Sequence, residues 1–213
     1  MTKILITAGG TKENIDPVRY IGNHSSGKMG LALADTAHEK GFDVTLISTF
    51  PIDKPYKVIV APSSDEMLYS VTKEFSDNDI LIMAAAVADF KPKTIQENKI
   101  KKGDNDTLVL ELTKTKDILK EINKIRRENQ LVVGFCAESE NLLNNAQKKL
   151  TEKKLDLIAA NDISRKDIGF GSDYNEITLL FKDGSSQKIE KMQKKDAAKI
   201  ILESCKKIFV TKY

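Results

Sequence analysis

Six short apolar runs, most of them separated by segments with helical spacing, constrain this chain more than any other feature. They are KILIT (Lys3 to Thr7), DVTLIST (Asp43 to Thr49), KVIVAP (Lys57 to Pro62), DILIMAAAVAD (Asp79 to Asp89), LVVGF (Leu131 to Phe135) and LDLIAAND (Leu155 to Asp162). A strand with one wet face alternates apolar and polar residues, whereas a run without alternation is covered on both faces. Helical patterns at Gly27 to Lys40, after Ser63-Ser64-Asp65-Glu66, at Lys114 to Asn129 and from about Glu140 to Lys153 supply the covers. The pattern predicts an α/β fold: a Rossmann-like, doubly wound, mostly parallel sheet. EITLLF and SQKIEK, joined across Lys182-Asp183-Gly184-Ser185, predict a C-terminal β-hairpin, and Lys194 to about Ile208 a closing helix.

A chain of 213 residues suffices for one sizeable core, so a single domain over 1–213 is expected. The long irregular segment from Phe90 to Asn105 reads as a flap, since a loop of that length in a compact domain is a lid or an interface. No apolar run approaches the roughly 20 residues of a membrane span, and no secretory leader is visible. Two cysteines, Cys136 and Cys205, make no disulfide framework, which points to a reduced, cytoplasmic setting. Lys and Arg total 34 against 31 acids, and there is no Trp. That near-balance, without a basic stripe interleaved with aromatics, argues against a nucleic-acid partner. The lysines around Gln147 to Lys154 have helical spacing and read as a solvated face, while KIKK at Lys99 to Lys102 sits in the flap.

The residues from Gly22 to Lys28 fit the start of a phosphate-binding P-loop, G-x-x-x-x-G-K. The next position must then be Ser or Thr to ligate magnesium. It is Met29, and a thioether is a poor ligand for a hard cation. P-loop chemistry is therefore not expected. Ser25, Ser26 and Gly27 nevertheless stand at a helix start, where free N–H groups attract anions, and Lys28 adds a charge. A Ser-Ser-Gly alone would read as a helix cap. The neighbouring Gly9-Gly10-Thr11 loop, which lets backbone approach a ligand, tips the reading toward phosphate.

Open α/β sheets bind ligands beyond the carboxyl ends of their strands, so the segments after the strands matter most. Arg19 and Asn23 lie in the first such segment and could equally be groups that fix a loop. Ala85 and Ala86 expose backbone to a flat ligand, and Asp89 could serve a sugar hydroxyl or a metal. Close packing followed by a helix cap is the alternative there. Cys136 fits a small hydrophobe at least as well as a nucleophile, since neither His24 nor His38 is an evident partner.

GGTKENIDPVRYIGNHSSGKMG, AAAVADF, KIKK, GFCAES and AAND, in this order and spacing, closely resemble phosphopantothenoylcysteine synthetase over essentially the whole chain. The resemblance implies a ligase of coenzyme A biosynthesis that joins phosphopantothenate to L-cysteine. In bacterial members CTP activates the carboxylate as an acyl-cytidylate with loss of pyrophosphate, and the cysteine amine then displaces CMP. Many such members form the second half of a bifunctional protein with a decarboxylase. This chain starts at the first strand of the synthetase half.

By motif, Asn23 matches the asparagine that holds the acyl-nucleotide carbonyl, and Arg19 the arginine tied to the same step. Lys99 matches a flap lysine needed for acyl-nucleotide formation. These three are the candidate catalytic residues. Gly9, Gly10, Thr11, Ser25, Ser26, Gly27 and Lys28 would line the phosphates. Ala85, Ala86, Asp89 and Phe135 would line the nucleotide and intermediate, with Asp89 assisting a Mg2+ ion held mainly by phosphate and water. The family also implies a homodimer with the flap near the partner subunit. Gly22 stands where a small polar residue is common in relatives, and Cys136 where alanine is common; both are small.

Two other classes remain to be weighed. A nicotinamide-dependent oxidoreductase would show G-x-G-x-x-G opening the first helix and an acid after the second strand, where this chain has STFPIDK. A non-catalytic nucleotide-binding module would require Asn23 and Lys99 to be accidents of packing.

Overall fold

The computed structural model describes residues 1–102, 107–138, 140–162, 167–168 and 171–212. Its first third runs β1 (Lys3–Ala8), β2 (Lys12–Asp16), β3 (Arg19–Gly22), α1 (Lys28–Glu39), β4 (Asp43–Ser48), β5 (Lys57–Val60) and α2 (Ser64–Phe75). There follow β6 (Ile80–Met83), β7 (Phe90–Pro92), β8 (Leu112–Lys114), α3 (Ile118–Ile125), β9 (Leu131–Glu138) and α4 (Leu142–Glu152). The chain closes with β10 (Leu157–Asp162), β11 (Tyr174–Phe181), β12 (Ser186–Gln193) and α5 (Lys194–Lys212).

Eight strands form one sheet in the order β12-β11-β10-β9-β6-β1-β4-β5. The six from β10 to β5 pair in parallel, and β11 and β12 add an antiparallel hairpin. The mostly parallel sheet and the C-terminal hairpin are therefore present as expected. Along β1 the side chains alternate between two cores, as the period of a strand requires. Ile4, Ile6 and Ala8 pack with Leu33 and Ala37 of α1 and Ala198, Ile201 and Leu202 of α5. Leu5 faces the other way, with Met67, Val71 and Phe75 of α2, Ile122 of α3 and Leu150 of α4. Each fully buried aliphatic side chain stabilises the fold by about 1.5–3 kcal/mol relative to exposure, which is why unbroken apolar strands settle between two helical layers. No helix among the described residues is long and apolar enough to cross a membrane.

Helix ends follow local chemistry. Ser63 and Glu66 form a capping box at α2: Ser63 Oγ accepts the Glu66 amide at 3.3 Å, and the Glu66 carboxylate accepts the Ser63 amide at 2.9 Å. The helix expected over Lys114 to Asn129 is shorter. Lys114 belongs to β8, and Asp117 caps the helix by accepting the Lys120 amide at 3.2 Å. At its far end Arg126 leaves helical geometry, with ψ 130, and its guanidinium donates to the Gln130 and Lys154 carbonyls and to Asp156.

Two small hairpins replace what the sequence suggests to be loops. β2 and β3 pair between Gly10 and Asn23, and β7 and β8 pair at the base of the flap. The end of the flap as expected, Gly103 to Asn105, lies outside the described residues.

Candidate active site

The strand order reverses between β1 and β6, and there the loops that follow the two strands are laced together. The Ala86 amide donates to the Gly9 carbonyl at 2.8 Å, and the Thr11 amide to the Ala86 carbonyl at 3.1 Å. Thr7 and Thr11 use their hydroxyl oxygens to accept the amides of Ala85 (3.0 Å) and Ala88 (2.9 Å). Asn23 reaches the same place, its Nδ2 donating to the Ala86 carbonyl at 3.0 Å. Gly10 allows this approach, because a Cβ there would stand 2.6 Å from the Asn23 carbonyl oxygen.

Beyond this junction opens a cleft of about 810 Å3. Asn23, Ser25, Ser26, Gly27, Lys28, Ala85, Ala86, Asp89 and Phe135 all line it. They arrive from the segments after β3 and β6, from the second half of β9 and from the start of α1. Gly27 begins α1 in a left-handed conformation, φ 77, and a Cβ would meet the Phe50 ring at 2.9 Å. Neither serine caps the helix. Ser25 Oγ accepts only the Gly27 amide at 3.4 Å, so the first-turn amides have no side-chain cap. The cap reading of Ser25 and Ser26 therefore does not hold, and the helix start is left polar and positive toward the cleft.

Gly9, Gly10 and Thr11 do not line the cleft; they form the junction beneath it, and Thr11 is fully buried. Lys28 lines the cleft, but its ammonium is engaged by Asp173 at 2.7 Å and the Gly171 carbonyl at 3.0 Å. That contact lowers the pKa of the Asp173 carboxyl, and a second lysine, Lys194, reinforces it. Burial, with Lys28 close by, lowers the pKa of Lys194 itself. Arg19 and Lys99 lie outside the lining. Arg19 turns to Asp16 and the Ile100 carbonyl, and Lys99 is exposed on the flap.

Other lining residues are not evident from sequence. Lys149 and Lys153, which read as a solvated face, point from the end of α4 to the cleft. They pair with Glu138, at 2.5 Å, and with Asp117. With Lys28, Lys114, Lys116, Lys120 and Lys194, seven lysines line the cleft against two acids, Asp89 and Asp117, among the described residues. Even with Lys28, Lys149 and Lys153 in ion pairs with Asp173, Glu138 and Asp117, the excess of lysine favours a polyanion. Asn161 and Asn175 also line it, and each buries a side-chain oxygen that has no partner among the described residues. The AAND run offered a signal for Asn161; none pointed to Asn175 or Lys194.

Cys136 lines the cleft as a nearly buried thiol. Burial raises its pKa to about 11, Glu138 adding to the effect and Lys149 opposing it. Among the described residues no three His, Cys, Asp or Glu side chains cluster to hold a metal ion. Asp89 stands as one exposed carboxylate in the cleft.

Known proteins agree with this architecture. The family described as the DNA/pantothenate metabolism flavoprotein C-terminal domain matches residues 1–209. The coenzyme A biosynthesis bifunctional protein CoaBC of Vibrio cholerae is 47% identical over 187 residues, 85% of this chain and 47% of that protein. Its counterpart from Bacillus subtilis is 45% identical over 204 residues, 94% of this chain and 50% of that protein. The chain thus spans about half the length of these relatives. Among solved structures, the C-terminal domain of a CoaBC protein superposes with a TM-score of 0.82 at 35% identity, covering 99% of this chain and 96% of that one. On this match, over nearly its whole length, the chain belongs to the DNA/pantothenate metabolism flavoprotein C-terminal domain family.

Proposed function

We propose that residues 1–213 form a single phosphopantothenate–cysteine ligase domain that uses CTP. The carboxylate of phosphopantothenate attacks the α-phosphorus of CTP, forming the acyl-cytidylate and releasing pyrophosphate. The cysteine amine then attacks the acyl carbon, the amide forms, a proton leaves the amine, and CMP departs. The observation that carries this reading is the placement of Asn23. It is fixed on the Ala86 carbonyl at the lip of a lysine-rich cleft whose floor is the strand switch point. The bifunctional relatives, named for coenzyme A biosynthesis, support the substrate assignment.

In this reading the chain supplies charge stabilisation and orientation rather than a nucleophile. Asn23 holds the acyl carbonyl in the second step. Uncapped amides at Lys28 to Gly30, with Ser25, Ser26 and Lys28, receive phosphate, while Ala85, Ala86 and Phe135 border the nucleotide. Lys99 neutralises charge on the phosphoryl group during acyl-cytidylate formation, and Arg19 serves the second step from the base of the flap. Magnesium fits the donor set as an ion carried chiefly by phosphate oxygens and water, with Asp89 as the one exposed carboxylate among the described lining residues. When bound, it supplies neutralisation of triphosphate charge. A homodimer with the flap near the partner subunit and a cytoplasmic setting complete the proposal.

The test is pyrophosphate release with phosphopantothenate, magnesium and either CTP or ATP, before and after addition of cysteine. Release with CTP, followed by phosphopantothenoylcysteine once cysteine is added, is expected. Release with ATP alone would overturn the nucleotide assignment, and no release with either would overturn the ligase.

A further inference from the structure

The Asp16 carboxylate is buried, yet it gathers hydrogen bonds from two distant pieces of chain. Its Oδ1 accepts the amides of Val18 and Arg19, both at 2.9 Å. Its Oδ2 accepts Arg19 Nε at 2.9 Å, Arg19 Nη2, and the amide of Ile100 at 3.1 Å. Arg19 Nη2 also donates to the Ile100 carbonyl at 2.9 Å. One ion pair therefore holds both backbone polar groups of Ile100. Four residues earlier the Gln96 amide donates to the Ile15 carbonyl at 2.9 Å, so this part of the flap is fastened to the end of β2 at two points. Lys99 lies between them.

We infer that Asp16 is a positioning residue for the first half-reaction: through Arg19 and Ile100 it fixes the backbone that carries Lys99. The inference rests on the ligase reading and on the part that reading gives Lys99. A lysine on an exposed segment contributes little to a transition state unless its backbone is held, since misplacement by about 1 Å can cost on the order of a hundredfold in rate. The chemistry here demands a carboxylate. Five donors converge on its two oxygens, and charge-assisted bonds of this kind are roughly twice as strong as neutral ones. An asparagine of the same shape would turn an NH2 group toward Arg19 Nε, Arg19 Nη2 or the Ile100 amide, donor against donor. The same β2–β3 hairpin leads directly into Asn23, so the latch also sets the flap relative to the residue proposed for the second step.

The experiment measures pyrophosphate release for wild type, Asp16→Asn, Lys99→Gln and the double variant, with backbone amide exchange followed in parallel. Asp16→Asn is expected to lower kcat for release by about 10–100-fold, with a smaller change in the KM for CTP. Added to Lys99→Gln it should cause no further loss, because both changes remove the same contribution. The Ile100 amide should exchange faster in Asp16→Asn while the amides of β1 stay protected. Release at the wild-type rate, or losses that multiply in the double variant, would overturn the positioning role with the ligase reading intact. A wild type that releases no pyrophosphate would instead overturn that reading and, with it, the positioning role. If Asp16→Asn loses protection throughout the sheet, Ile100→Pro takes its place. It deletes the accepted amide and leaves the ion pair, and the same tenfold or greater, non-multiplying loss is expected; its absence would overturn the role.

Discussion

Asn23 and Ala86, 63 residues apart in sequence, are joined by a 3.0 Å bond from the side-chain amide of one to the backbone carbonyl of the other. Because that carbonyl can only accept, it settles which end of the carboxamide faces it. The Asn23 oxygen and its second N–H remain for a ligand.

Replacing Asn23 with Asp would set an oxygen against the Ala86 carbonyl and remove the amide donor. Pyrophosphate release should persist, because the carboxylate-activating step does not use this group in the proposed scheme. Amide formation should fall by about a hundredfold or more, the usual scale for a lost transition-state donor. Quenched assays that follow pyrophosphate and phosphopantothenoylcysteine separately would decide it, and equal losses in both would contradict the role.

Gly30 sets two effects against each other. Alanine there gains about 1 kcal/mol of helix propensity. Its Cβ, however, would lie 2.6 Å from the Thr7 carbonyl oxygen and 2.6 Å from the Ala8 Cβ, atoms of β1 that cannot swing aside. Overpacking of this kind costs about 1–3 kcal/mol and should win. Thermal denaturation of Gly30→Ala should show a net loss of about 1 kcal/mol or more, and a rise in Tm would show that α1 can slide outward freely.

Burial raises the pKa of Cys136 to about 11 and that of Cys205 to about 12, against 9.0 for the ordinary thiol. Iodoacetamide at pH 8 should therefore label Cys136 about a hundredfold and Cys205 about a thousandfold more slowly in the folded chain than in the denatured chain, where about two and about three pKa units are recovered. Linkage has a definite sign here. The folded state holds both thiols protonated while the unfolded chain ionises near 9.0, so this contribution to stability is present below pH 9 and is lost between about 9 and 12. Unfolding midpoints of a Cys136→Ala, Cys205→Ala variant across that range should fall less steeply than those of the wild type.

Asp156, nearly fully buried, accepts from Arg126 and from the Val132 amide at 2.9 Å. Asp156→Ala would leave the largely buried guanidinium uncompensated, and losses of about 3–5 kcal/mol are usual for such breaks. Urea titration would measure it, and a change below about 1 kcal/mol would mean that Arg126 finds other acceptors.

The sheet was legible because its parallel strands are buried on both faces: β1 and β6 could hardly have been anything else. Part of the cleft was legible for a related reason. Asn23, Ser25 to Lys28, Ala85, Ala86 and Asp89 follow strands or open a helix at the same edge of that sheet, and Phe135 lies in the second half of β9, so naming the strands brought them together. The β2–β3 hairpin was not legible. Its sequence is polar, and what holds it lies far off: Glu13 accepts from Ser64, 51 residues away, and Asp16 from Ile100, 84 away. Lys149 and Lys153 escaped because lysines four apart on a helix look alike whether they face water or a ligand. Only the placement of α4 beside β9 and β10 turns them to the cleft. The distance of Lys99 and Arg19 from the lining was likewise invisible, since a motif records spacing along the chain and not where a flap rests.

The cleft wall that Lys194 shares with Gly27 and Lys28 joins the N-terminal part of this chain to its C-terminal part. A ribosome adds roughly 5–20 residues per second, so the stretch from Asp162 to Ile208 takes on the order of several seconds to make. During that interval α1 alone shields its side of the sheet, and Leu157 and Ala159 await Ile201, Leu202 and the rest of α5. The nascent chain accordingly carries an apolar face that chaperones can recognise and a cleft with one wall missing. The same late helix that closes the core also ends its exposure to aggregation.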